Sequence, residues 1–207
     1  MKHPTMNNTL KHLPALLVLL LLFTAQARAQ YVQKERDDTI RMMPKAPFDT
    51  LAARAALAEG TGTITGVAFT RQKNNMAIKM GNRILANKIK ILLFPVTPYL
   101  MEYLELRKKE NHRKLKYVYL SPEAFRFRLE AITNSTGEFT FPKMKPGKYY
   151  IQGVLNWYTT GSYNRYTGSD YYTNYYTREY YTTDHSDLLE KFVDVNSEGE
   201  VVSVKLK

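Results

Sequence analysis

Beyond the first 29 residues the chain holds two histidines, His112 and His185, and it contains no cysteine anywhere. The absent thiol excludes disulfides, thiolate metal sites, a cysteine nucleophile and a lipid-anchored cysteine. Neither histidine falls in an H-E-x-x-H spacing, which would place two ligands on one helical face, so no metal is expected. The sequence "DHSD", residues 184–187, has the residue types to ligate a metal or orient a base, but a polar cluster ahead of an apolar run reads as a turn. Asp194, Asn196 and Gly199 begin like a calcium loop. The twelfth position is Lys205 where a bidentate glutamate is needed, which leaves a hairpin turn. No phosphate loop, nucleophile elbow or carboxylate pair is present, so the chain reads as non-enzymatic and without a cofactor.

The densest chemistry is aromatic. Residues 171–183, "YYTNYYTREYYTT", put six tyrosines into thirteen positions. Tyr and Thr favour strands, and strand alternation sends Tyr171, Tyr175 and Tyr181 to one face and Tyr172, Tyr176 and Tyr180 to the other. One set can cover a core. The other would then be exposed, with successive tyrosines about 13 Å apart, and would suit sugar rings, bases or a partner protein. Tyr172, Tyr176, Tyr180 and Trp157 are the candidate ligand residues. The alternative is a long hairpin with "LNWYTTGSYNRYTG" in which the tyrosines form cross-strand ladders.

Charge marks a second candidate. The chain is basic, at formal +11. Removing Lys2, Lys11 and Arg28 with the first 29 residues leaves 27 cations against 19 acids, about +8. Arg107, Lys108, Lys109, Arg113, Lys114 and Lys116 fall within ten residues that hold one acid, Glu110. Such a run is a solvated helix end or a site for an anionic polymer, with nothing that specifies a nucleic acid.

These groups need elements to place them. The basic start, the apolar run Leu13–Ala25 and the small residues Ala27 and Ala29 have the layout of a signal peptide over 1–29. That apolar run is too short for a membrane span, so an exported chain is expected, periplasmic, cell-surface or secreted. Residues 30–60 read as a linker with one short helix, which Asp49 or Thr50 can cap and Gly60 can end. From Thr61 the hydrophobic period becomes two. Strands are expected over "GTITGVAFT", "KIKILLFPV", "FRFRLEAIT", "GEFTF" and "KYYIQGVLNW", with "KFVDVNSEGEVVSVKLK" as a closing hairpin. Thr97 as N-cap and Pro98 at the first helical position predict an inserted helix over 98–112. Helical segments are too few for parallel crossovers, so the fold class is all-β: an antiparallel β-sandwich of seven or eight strands over 61–207, with a Tyr-rich hairpin over 155–183. Phe127, Leu129, Phe139, Phe141, Ile151 and Val204 are the expected core.

The run Ile64-Thr65-Gly66-Val67, the "NKIKILLF" strand, Thr133 leading to Gly137-Glu138-Phe139, and Pro146-Gly147-Lys148-Tyr149 resemble the carboxypeptidase regulatory-like domain, a transthyretin-like sandwich. The likeness spans roughly residues 62–157 and the final hairpin. It implies a non-catalytic accessory module. Hydroxyisourate hydrolase shares that fold but carries a C-terminal Tyr-Arg-Gly-Ser and active-site histidines, whereas this chain ends "VVSVKLK". The segment 98–122 and the tyrosine tract depart from the family pattern, and individual function is expected there: binding of a glycan or an envelope protein, a structural role in the envelope, or binding of an anionic polymer.

Overall fold

The structure, a computed structural model, describes residues 39–73 and 79–207, at 73, 79 and 80 for the backbone alone. The signal-peptide reading lies outside the described residues. None of the described helices is long and apolar enough to cross a membrane.

Eight strands form two four-stranded sheets. In the first, β2 (Gly62–Lys73) takes β10 (Val201–Leu206) along one side, and β7 (Glu138–Met144) followed by β3 (Lys79–Leu85) along the other. The second runs β6 (Leu129–Ile132), β4 (Lys90–Pro95), β8 (Gly147–Ser169), β9 (Asn174–Val195), antiparallel throughout. Alternation along each strand selects the inner faces. Ile64, Phe139, Phe141 and Val204 from the first sheet meet Ile91, Leu93, Tyr149 and Ile151 from the second in one core. The sandwich expected from period-two runs is the observed fold.

Gly66 and Gly137 explain how tightly it closes. A side chain at Gly66 would lie 2.4 Å from the Phe139 ring, so its absence lets that ring cover the strand. Gly137 turns into β7 at φ +78°, and a Cβ there would strike the Ala68 carbonyl at 2.5 Å.

Several local expectations need correction. The run from Phe125 to Phe127 is not strand: Ser121 accepts a hydrogen bond from the Ala124 amide, Pro122 opens a short helix, Pro122–Arg126, and Phe125 is left exposed. Phe127 instead packs on Phe48 outside the sandwich core, and strand begins only at Leu129. The closing segment is no hairpin, because β10 pairs with β2 in parallel. The turn before β10 is tied to the start of β2: the Glu200 carboxylate accepts from the Asn196 and Ser197 amides, the Glu200 carbonyl accepts from Thr63, and the Thr61 hydroxyl accepts from Gly199. The chain is thus carried across from one sheet to the other.

Residues 39–60, expected as a linker, belong to the same compact unit as the sandwich. The strand β1 (Ile40–Met42) pairs in parallel with β5 (Lys116–Val118). The helix α1 (Thr50–Ala56) starts at Asp49, buries Ala53, and receives a hydrogen bond from the Tyr149 hydroxyl at the Ala56 carbonyl. Helix α2 spans Pro98–Arg107, capped by Thr97 and shorter than the expected 98–112. It covers the outer face of the second sheet, where Leu100 and Leu104 pack on Phe94 and Tyr150.

Candidate functional site

Ile91 is the last residue of β4 to pair with β8, at Gly153, and from Val154 onward β8 is hydrogen-bonded to β9 alone. The two strands continue as a ribbon to Ser169 and Asn174, fourteen residues or about 46 Å beyond Leu155. The tyrosine tract is therefore half of a long hairpin, and neither set of tyrosines covers the core. Its tip is held by Asp170, whose carboxylate accepts from the Tyr172 amide (2.9 Å), the Thr173 amide (2.7 Å) and the Tyr175 hydroxyl (2.6 Å). The Tyr175 hydroxyl and those amides hold Asp170 below the usual carboxylate range.

Directly opposed residues share a face, so the register sorts the aromatics. Tyr166 opposite Tyr176, Ser162 opposite Tyr180, and Tyr158 opposite Asp184 lie on the α2 side. Trp157 opposite His185, Gly161 opposite Tyr181, and Tyr163 opposite Glu179 lie on the side that continues the core face. The four candidate ligand residues are thus split. Tyr176 and Tyr180 share one face, Trp157 is on the other, and Tyr172 belongs to the tip turn. Tyr172, Tyr176 and Tyr180 are 89%, 58% and 70% exposed.

The most convergent cluster sits at the root of the ribbon. The Trp157 and His185 rings stack at 4.1 Å, 18° from parallel. Asp187, one strand period further in, accepts from Trp157 Nε1 (3.2 Å) and from the Thr70 hydroxyl on the first sheet (2.5 Å). His185 Nε2 and Thr159 Oγ1 are 3.0 Å apart. A cleft of about 350 Å³ opens there, lined by these ribbon side chains and Gln72. On the same face Tyr181 lies across Gly161, where a Cβ would sit 2.4 Å from its ring, and its ring centroid is 6.4 Å from that of Tyr163. "DHSD" is therefore mid-strand in β9, contrary to the turn reading, because its alternate residues His185 and Asp187 are paired with Trp157 and Leu155. The arrangement offers a flat aromatic surface with hydroxyl, amide and carboxylate groups at its margin, which suits a ring that is apolar on one face and polar at its edge.

The basic run is dispersed rather than concentrated. Arg107, the last helical residue, turns to the second sheet, where it donates to the Tyr150 hydroxyl at 3.0 Å and pairs with Glu190, which also accepts from Tyr150. Burial pushes the Tyr150 hydroxyl above its ordinary pKa, and the Glu190 hydrogen bond adds to the shift. Lys108 pairs with Glu105. Lys109, Arg113 and Lys114 are exposed in the loop after α2, and Lys116 is half-buried in β5. Among the described residues no group of three His, Cys, Asp or Glu side chains converges as a metal site.

No family model and no curated protein matches the chain. Among solved structures it is similar to a crystal structure of a Pseudomonas aeruginosa protein named as a candidate carbohydrate-binding protein. The match has a TM-score of 0.53 and 23% identity, and covers 80% of this chain and 99% of the other. A likeness at that identity concerns the fold alone.

Proposed function

We propose that this protein is an exported, non-catalytic module that binds a glycan along the ribbon, with Trp157 as the principal platform. The observation that carries the reading is the Trp157–His185 stack beside the Asp187 acceptor, opening on a cleft between the ribbon and β2. Tyr181 and Tyr163 extend the aromatic surface about 13 Å further along the same face, the distance of four strand residues. Resemblance to the carboxypeptidase regulatory-like domain and similarity in fold to a protein named for carbohydrate binding both agree with a binding module.

Trp157 is the single tryptophan, so its emission reports this site without interference. Titration with neutral and amino-sugar oligosaccharides of three to six residues should shift or quench that emission saturably. Asp187→Asn should weaken the effect, and Trp157→Ala should abolish retention on insoluble polysaccharide. Unchanged emission with all of them, together with unchanged retention of Trp157→Ala, would remove the proposal.

A protein partner in the envelope is the second reading, and it belongs to the other face. Val154, Leu188 and Phe192 are exposed there and run on into Tyr158 and Tyr180.

A further inference from the structure

The outer face of the first sheet carries a feature with no part in the ribbon site. Arg71 on β2 stands directly opposite Arg83 on β3. Like charges at that position have Cβ atoms about 5 Å apart and destabilise a sheet by themselves. Both are nevertheless held in place. Arg71 Nη1 donates to the Gly81 carbonyl at 2.6 Å, and the Arg83 guanidinium lies 4.9 Å from the Phe69 ring centroid. Lys205 and Lys207 approach from β10 on the far side of β2, and the four cations line a cavity of about 440 Å³ that includes Phe69. Phe69 itself is only 5% exposed although it points away from the core, so this pocket has an apolar floor. Among the described residues no carboxylate pairs with any of the four. Glu138, opposite Val67 on the same face, is bound to the Asn134 side chain.

We infer that Arg71, Arg83, Lys205 and Lys207 form a binding pocket for a tetrahedral oxyanion, the phosphate or sulfate group of a larger molecule. Two guanidinium forks suit the paired oxygens of such a group, and two ammonium groups from the opposite side complete its neutralisation. The anion removes the repulsion between Arg71 and Arg83. This inference is independent of the glycan reading, and it places anion recognition away from the 107–116 run.

The test is calorimetric titration of the full chain with inorganic phosphate and with sulfate, against sodium chloride of equal ionic strength. Saturable binding of phosphate or sulfate is expected, with a rise in melting temperature that chloride does not reproduce. Arg71→Gln/Arg83→Gln should weaken binding about tenfold or more, since it removes both forks. Without anion this variant should melt within a few degrees of wild type, because the relieved like-charge repulsion offsets the lost Gly81 hydrogen bond and Phe69 contact. Lys109→Gln/Arg113→Gln/Lys114→Gln should bind within about twofold of wild type, the exposed loop charges acting only at long range through solvent. Lys205→Gln/Lys207→Gln reports on the same pocket from another strand and decides the matter if the arginine variant fails to fold. A sulfated disaccharide and a sugar phosphate, titrated separately, distinguish the two esters. No saturable binding, an effect matched by chloride, or wild-type affinity in the arginine variant or, where that variant is unfolded, in the lysine variant would overturn the inference.

Discussion

Gly161 and Gly137 both admit a close neighbour, yet their neighbours differ in what they can concede. At Gly161 the added methyl would meet the far end of the Tyr181 side chain, which can swing aside. Gly161→Ala is expected to leave the melting temperature within about 2 °C, as a surface change does, while the displaced ring weakens glycan retention. At Gly137 the methyl would meet the Ala68 carbonyl, in a backbone conformation at φ +78° that side chains rarely adopt. Gly137→Ala should therefore cost about 1 to 3 kcal/mol or more in chemical denaturation. Equal losses at the two sites would contradict this assignment of rigid and yielding neighbours.

At the level of the element, the ribbon is separable from the sandwich. Its distal tyrosines touch one another, as Tyr166 does Tyr176 at 5.8 Å, but contribute nothing to the core cluster. Replacing Tyr172, Tyr176 and Tyr180 by serine, or Tyr171, Tyr175 and Tyr181, should each leave global melting within a few degrees, since such cross-strand contacts contribute about 0.2 to 1 kcal/mol apiece. The two variants should differ in binding. The second removes Tyr181 from the Trp157 face and should reduce oligosaccharide retention more than the first. A large fall in melting temperature for either would show that the ribbon packs on more than itself.

The whole molecule depends on a segment outside the two sheets. The Glu102 carboxylate on α2 accepts from the Lys45 amide at 3.0 Å and the Ala46 amide at 2.8 Å, tying residues 39–48 to the helix that covers the second sheet. Those two amides hold Glu102 below the usual carboxylate range. A depressed folded value means that the tether is fully present above the ordinary carboxylate pKa and is lost as pH falls through the lower folded value. Hydrogen exchange at the Lys45 and Ala46 amides, corrected for the intrinsic pH dependence, should lose protection over that acid range. Glu102→Gln should show weak protection at every pH. Protection that is independent of pH in the wild type would refute the tether. A chain starting at residue 61 loses α1, the Phe48 contacts with Tyr99 and Phe127, and the Tyr149 bond to Ala56. It is expected to melt several degrees below one starting at 39.

The sandwich class, the Thr97–Pro98 helix start, the Gly137 turn and the apolar phases of β2, β4, β7 and β8 were legible in the sequence alone, because each depends on residues a few positions apart. A period-two run, a proline at a first helical turn and a glycine at positive φ carry their physics locally. Strand was expected from Phe125, where the helix Pro122–Arg126 is found, because alternating Phe and Arg outweighed the shorter Ser121-Pro122 signal. Register and pairing could be settled only by the tertiary structure. Parity alone could not show that Trp157 meets His185, nor that Asp187 reaches Thr70 across 117 residues, nor that Arg71 faces Arg83. The crossing of β10 to β2 was hidden for the same reason: its cause is a turn bonded to Thr61 and Thr63, far away in the chain. Strand alternation determines which side chains share a face, but the strand that receives that face is chosen by packing and hydrogen bonding across the whole molecule.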